Sequence, residues 1–354
     1  MGPMTRLRAD TAHIPHDMVA DYYSQRASEG GLLITESTFI SHASSGRDPN
    51  APGIYTPAQM TGWRTVTDAV HAKGGYIFMQ LWHVGRAARP AVLKAQNLEM
   101  VSSSAVPMPP KTGELFETPR PMTEVEIWQC ISDFAQAASN AIAAGFDGVE
   151  IHGANGYLVD QFLQDVCNRR TDQWGGSIEN RSRFAVEVIK AVCEVIGPDR
   201  VGIRLCPFGD FQGMGMRDPI PQFTDLIVRL RTFGLAYLHL IEPRVSGNVD
   251  RQVFDAQTEK LDFCFKAWNK AGPVLLAGGF TPESAAQELV EHCPNEVVAI
   301  VFGRHFISNP DLVFRVLNGV PLAGYDRSTF YTAESPVGYI DYPYSTEWQA
   351  SMAA

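Results

Sequence analysis

Along this chain of 354 residues, the positions best suited to chemistry stand at the ends of short apolar runs. They are Gln80, His152 with Asn155, Arg204, Gly278-Gly279 and Gly303-Arg304, with Thr5 near the start. Each alone has a plain structural use. Gln80 and His152 can be satisfied core groups, Asn155-Gly156 is ordinary turn chemistry, and Arg304 can pair with a local carboxylate. Brought together, they form a ring of two cations, several hydrogen-bond donors and glycine-bared backbone. Such a ring suits a phosphorylated cofactor with polar edges. Glycines let N–H groups approach phosphate oxygens, and arginine adds a charge-assisted fork.

What is missing narrows the chemistry further. No lysine ends an apolar run: Lys73, Lys190, Lys266 and Lys270 fall in helical stretches, and Lys94, Lys111 and Lys260 in loops. That speaks against Schiff-base aldolases and pyridoxal enzymes. No His, Cys, Asp and Glu set has metal-ligand spacing, so no metal site is expected. A site lacking both takes its reactivity from a bound cofactor.

The elements that must position this ring alternate from end to end. Leu32–Glu36, Tyr76–Leu81, Val149–His152, Val201–Leu205, Tyr237–Ile241, Val274–Ala277 and Val297–Phe302 read as strands buried on both faces. Thr56-Pro57-Ala58-Gln59, Thr123-Glu124-Val125-Glu126 and Thr281-Pro282 start helices between them. Ile127, Ile131, Phe134, Ala138 and Ile142 mark the inner face of one. The alternation predicts an α/β fold, a single-domain (β/α)₈ TIM barrel over residues 1–354. A doubly wound sheet is the alternative, but no GxGxxG opens a helix after a strand. Only Met1, Gly2 and Pro3 precede Met4, so the first strand is expected to be largely missing. The stretch 94–122, with its Pro107–Pro121 run, reads as an excursion or lid, and 322–354 as a C-terminal extension.

Twenty-nine Lys and Arg against 39 Asp and Glu give a net charge of −10, and no basic run exceeds Arg169-Arg170. Nucleic acid and anionic membrane are therefore poor partners. Six scattered cysteines, no apolar signal core and no apolar stretch of roughly 20 residues lead to the expectation of a cytoplasmic protein.

The chain resembles the Old Yellow Enzyme family, FMN-dependent barrel ene-reductases that draw electrons from NADPH. The resemblance rests on Pro3-Met4-Thr5-Arg6, Tyr22-Tyr23-Ser24-Gln25-Arg26-Ala27, Gln80-Leu81-Trp82 and His152-Gly153-Ala154-Asn155-Gly156-Tyr157. It continues through Asn168–Ser177, Glu179-Asn180-Arg181, Gly303-Arg304, Ile307–Leu312 and Gly338–Pro343. Leu235–Glu242 and Phe162–Val166 look most like fungal members, some of which act in secondary metabolism.

The resemblance implies a role for each site residue. Pro3, Met4, Thr5 and Ser37 would line the flavin ring, Gln80 its pyrimidine edge, and Arg204 the N1 and O2 side. Gly278, Gly279, Gly303 and Arg304 would hold the phosphate. His152 and Asn155 would bind the carbonyl oxygen of an enone or enal, and Trp82 and Tyr331 would wall the substrate pocket. Hydride would pass from flavin N5 to the β-carbon, and Tyr157 would protonate the α-carbon. The alternatives are a redox-neutral isomerase of the same family, or a non-catalytic remnant. A monomer or homodimer is expected. The departure from the family is the N-terminus, where the loss of most of a strand would leave two neighbouring strands with unpaired edges. A missing upstream segment is the favoured explanation.

Overall fold

The computed structural model describes residues 1–109, 116–247, 249–251 and 258–353. Seven strands pair in parallel, in the order Leu32–Ile34, Tyr76–Trp82, Gly148–Gly153, Val201–Leu205, Tyr237–Ile241, Val274–Ala277 and Val298–Val301. Thr38–Phe39 adds a short parallel pairing to the upper end of Tyr76–Trp82. With helices between successive strands, this is the (β/α)₈ barrel.

The gap between the first and last of these strands is bridged at its upper end. The Met1 amino group donates to the Leu32 carbonyl (2.7 Å), Ile34 N–H to Met1 O (2.9 Å), and Gly2 N–H to Phe302 O (2.9 Å). Two residues thus close the barrel where the site residues lie. Lower down, among the described residues, Val298–Val301 and Leu32–Ile34 have no strand between them, and Val297 is exposed.

Capping boxes begin the helices where the sequence places them. Thr56 and Gln59 start Pro57–His71, Thr123 and Glu126 start Glu124–Ala143, and Thr281 and Ser284 start Pro282–Glu291. Each box satisfies two N–H groups that the first helical turn leaves unpaired. Helix faces such as Phe134, Ala138, Phe184 and Leu226 join strand residues Val149, Ile151, Ile203 and Leu240 in one core. Each fully buried large side chain contributes about 1.5–3 kcal/mol. Ile142, expected on the inner face, is only half-buried, and Ala141 takes that position.

Three further expectations change in detail. The Leu32–Glu36 strand stops at Ile34, because the Glu36 carboxylate turns to accept the backbone N–H groups of Arg6 (3.0 Å) and Leu7 (3.1 Å). Lys94 lies in a short helix, Pro90–Ala95, rather than a loop. The ends of the 94–122 excursion are zipped by a parallel pairing of Val101–Ser102 with Arg120–Pro121. Pro110 and Lys111 lie outside the described residues.

The C-terminal segment packs back onto the start of the chain. Arg6 donates to the carbonyls of Phe330 (3.2 Å) and Gly338 (2.6 Å), and Arg8 to those of Thr329 (2.9 Å), Ser335 (3.0 Å) and Val337 (3.0 Å). Both guanidinium groups are buried. They hold residues 329–338 over the segment that carries Pro3, Met4 and Thr5.

Candidate active site

A cavity of about 560 Å³ opens at the C-terminal ends of the strands. It is lined by Pro3, Met4, Thr5, Ser37, Gln80, Trp82, His152, Asn155, Tyr157, Arg204, Gly278, Gly279, Gly303, Arg304 and Tyr331. Every site residue chosen from the sequence therefore reaches one place. None of the described residues between 94 and 122 lines it.

Strand register builds the floor. Gln80 lies beside Glu150, His152 beside Arg204, and Arg204 beside His239. The Glu150 carboxylate accepts from Gln80 Nε2 (2.7 Å) and pairs with His239 Nδ1 (2.7 Å), while Ser37 Oγ donates to Gln80 Oε1 (2.6 Å). Burial works to raise the Glu150 carboxyl, but His239, Arg204 and Gln80 outweigh it, and the group stays ionised. The Gln80 amide is thereby fixed in orientation. Arg204 Nε is buried without a protein partner among the described residues.

At one end stands the loop after Gly148–Gly153. Asn155 (φ +58°) and Gly156 (φ +72°) take consecutive left-handed conformations, and a side chain at Gly156 would collide with Gln212 and Phe211. That turn brings His152, Asn155 and Tyr157 to one wall. Ala154 N–H donates to His152 Nδ1 (3.4 Å), which assigns the ring proton to Nε2. Burial, with Arg204 and His239 nearby, drives the His152 pKa well below its usual value, so the imidazole is a neutral donor. Tyr157 meets Trp82 and His152 edge-on, each with ring centroids 4.9 Å apart, and Trp82 stacks on Phe39. Burial raises the Tyr157 pKa, so its hydroxyl keeps its proton at neutral pH.

Glycines and arginine form the opposite end. Gly279 is left-handed (φ +68°), and an added Cβ would stand 3.1 Å from Asp250 Oδ1 and 3.2 Å from Arg304 Nη2. Arg304 forms a fork with Asp250, at 2.6 and 3.1 Å. A carboxylate thus sits where the guanidinium presents its two parallel donors.

Several contributors escaped the sequence reading. Glu150 and His239 are charged or titratable residues inside apolar strands, a visible signal left unused. Arg47 and Asp48 line the cavity from one loop and Arg89 from another, just before Pro90–Ala95, and Gln212 packs against Gly156; none of these follows a spacing rule. Among the described residues no helix is long and apolar enough to cross a membrane, and no group of three His, Cys, Asp or Glu could hold a metal.

Residues 1–323 match the NADH:flavin oxidoreductase / NADH oxidase family. The chain belongs to that family. Its relatives include the chanoclavine-I aldehyde reductase of Penicillium roqueforti, 54% identical over 357 residues, spanning 100% of this chain and 94% of the relative. An NADP-dependent oxidoreductase of Aspergillus flavus is 52% identical over 352 residues, spanning 98% and 92%. The solved Old Yellow Enzyme homologue from Zymomonas mobilis superposes with a TM-score of 0.87 at 38% identity, covering 98% of this chain and 95% of that one. This is a fungal-type Old Yellow Enzyme, a flavin oxidoreductase that uses FMN and a reduced nicotinamide dinucleotide.

The cavity fits that cofactor at both ends. The bare backbone at Gly279 beside the Arg304 fork suits a phosphate. Arg204 Nε, unpartnered among the described residues, and the oriented Gln80 amide suit the acceptor-rich edge of a heterocycle.

Proposed function

We propose that this Old Yellow Enzyme reduces the activated C=C bond of α,β-unsaturated aldehydes and ketones, with NADPH as donor, in fungal secondary metabolism. The observation that carries the reading is the convergence of His152, Asn155 and Tyr157 on one cavity wall, opposite the glycine and arginine end. FMN, when bound, supplies the hydride. Gly278, Gly279, Gly303 and Arg304 hold its phosphate, and Pro3, Met4, Thr5, Ser37, Gln80 and Arg204 hold its ring.

The remaining chemistry falls to the chain. The neutral His152 Nε2–H and the Asn155 amide donate to the substrate carbonyl oxygen, where negative charge grows as the β-carbon accepts hydride. Because His152 is neutral, it stabilises that charge without surrendering its own proton. Tyr157 delivers its hydroxyl proton to the α-carbon. Trp82 and Tyr331 bound the space in which the alkene lies. An aldehyde beside the double bond is the favoured substrate, in keeping with the aldehyde reductase of Penicillium roqueforti.

The test is product analysis with NADPH and a conjugated aldehyde such as cinnamaldehyde, under anaerobic conditions. One saturated aldehyde per NADPH consumed is expected. The unsaturated alcohol would place the reduction at the carbonyl and overturn the reading. A rearranged alkene with no net NADPH consumption would make the protein an isomerase.

A further inference from the structure

Tyr157 is flanked by polar side chains outside the barrel strands. Gln212 lies in the short turn Phe211–Gly213 and adopts φ +59°, ψ 31°, a left-handed conformation costly for a residue with a Cβ. Such strain persists only where the surroundings over-determine it. Here the Gln212 carbonyl accepts from Arg86 Nη2 (3.1 Å). Its side chain is held at both ends of the amide. Nε2 donates to the Asn155 carbonyl (2.7 Å) and Oε1 accepts from Arg47 Nη1 (3.3 Å), which leaves the amide beside the Tyr157 phenol.

Arg47 approaches the same phenol from the cavity mouth, its guanidinium carbon 5.8 Å from the Tyr157 ring centre. It is braced by the Ala87 carbonyl (2.6 Å) and by Asp48 (3.4 Å), a carboxylate shared with Arg89 (3.0 Å). The groups facing Tyr157 are therefore Arg47, Asp48, His152 and Tyr331. Burial, Asp48 and Tyr331 make the phenol a weaker acid, whereas Arg47 and Gln212 make it a stronger one. Two arginines against one aspartate leave this rim positive in a chain of net charge −10.

We propose that Gln212, backed by Arg47, is a positioning pair that aims the Tyr157 hydroxyl and stabilises the phenolate left when its proton is delivered. The inference rests on Tyr157 being the proton donor. In that step the Tyr157 O–H bond breaks and its electron pair stays on oxygen. The α-carbon forms a C–H bond with the electron pair of the enolate, and water later returns a proton to the phenolate. Of the Gln212 amide, one N–H is committed to Asn155 and the oxygen to Arg47. The second N–H is the group left for the phenolic oxygen. The amide anchored on Asn155 thus faces Tyr157, which couples carbonyl binding to proton delivery.

Arg47→Met and Gln212→Met, each FMN-loaded and reduced, are mixed with a conjugated aldehyde, and reoxidation is followed against pH in H₂O and D₂O. Each substitution is expected to slow reoxidation by about three- to tenfold and to increase the solvent isotope effect. Removing the Arg47 cation shifts the alkaline fall in rate to higher pH, because the phenol becomes a weaker acid. Arg47→Lys restores most of the rate. In a Tyr157→Phe background neither substitution has a further effect. Equal slowing in that background, or an unmoved pH limb and isotope effect, overturns the pair while leaving Tyr157 as donor. An unchanged rate in Tyr157→Phe alone overturns the donor assignment, and the pair with it.

Discussion

The loop carrying Asn155 and Tyr157 is answered by buried side chains, whereas Gly279 and Arg304, across the cavity, are answered by an exposed carboxylate. Gly156 alone shows the contrast. Its N–H donates to Asp160 Oδ2 (2.8 Å) and its carbonyl accepts from Gln161 Nε2 (2.8 Å). Asp160 and Gln161 are almost wholly buried, as is every residue of the following helix, Leu158–Leu163. Arg304, by contrast, is held by Asp250, whose side chain is 63% exposed. A pair of that kind contributes about 0–1 kcal/mol. Under the proposed function, the groups that meet the developing charge are fixed in advance, and reorganisation during reaction would add to the barrier. A phosphate brings two charges of its own and can complete its site on arrival.

The sharpest way to break this contrast is at the rigid end. Tyr157→Phe leaves the hydrogen bonds of Gly156 intact and removes the hydroxyl with its proton, so reoxidation by a conjugated aldehyde should slow about 10²- to 10⁴-fold. Single-turnover absorbance measures it, and a near-normal rate would show that the rigid wall holds a different donor. At the looser end, Arg304→Ala should weaken FMN binding by roughly ten- to a hundredfold, the worth of a charge-assisted bond. Turnover at saturating FMN should change little. Fluorescence titration and steady-state rates separate the two.

A smaller effect follows from Asp160. Burial pushes its carboxyl up to about 7, above the unfolded value of about 3.9. The native state therefore holds this proton to higher pH than the unfolded chain does. Stability falls as pH rises from about 4 to about 7, then levels off. Melting temperatures across that range should decline more steeply for the wild type than for Asp160→Asn; parallel curves would mean Asp160 ionises normally. Least of all, Asp250→Asn should leave melting unchanged and tighten FMN binding by no more than about threefold. Weaker binding would mean that Asp250 organises the phosphate site rather than competing for it.

Much of this arrangement was legible in the residues. Parallel strands buried on both faces are apolar, so Gln80, His152 and Arg204 stand out as interruptions that require a purpose. The same logic applied to Glu150 and His239, yet their pairing emerges only from strand register, which aligns Gln80 with Glu150 and Arg204 with His239. Arg47 and Gln212 had no such signal. They sit on loops whose path depends on conformations such as the left-handed Gln212, and no periodicity encodes those. Arg6 and Arg8 were equally opaque, because their partners are backbone carbonyls in residues 329–338, which any sequence there would supply. The expected gap in the first strand is present low in the barrel, but Met1 and Gly2 bridge it at the level of the cavity.

The most direct test is amide hydrogen exchange with and without FMN. On adding FMN, residues 277–281 and 303–306 should gain protection, while residues 152–164 should exchange equally slowly in both states. If the 152–164 loop instead gains as much protection as the glycine and arginine end, the cofactor orders both ends of the cavity alike, and the wall is not preformed.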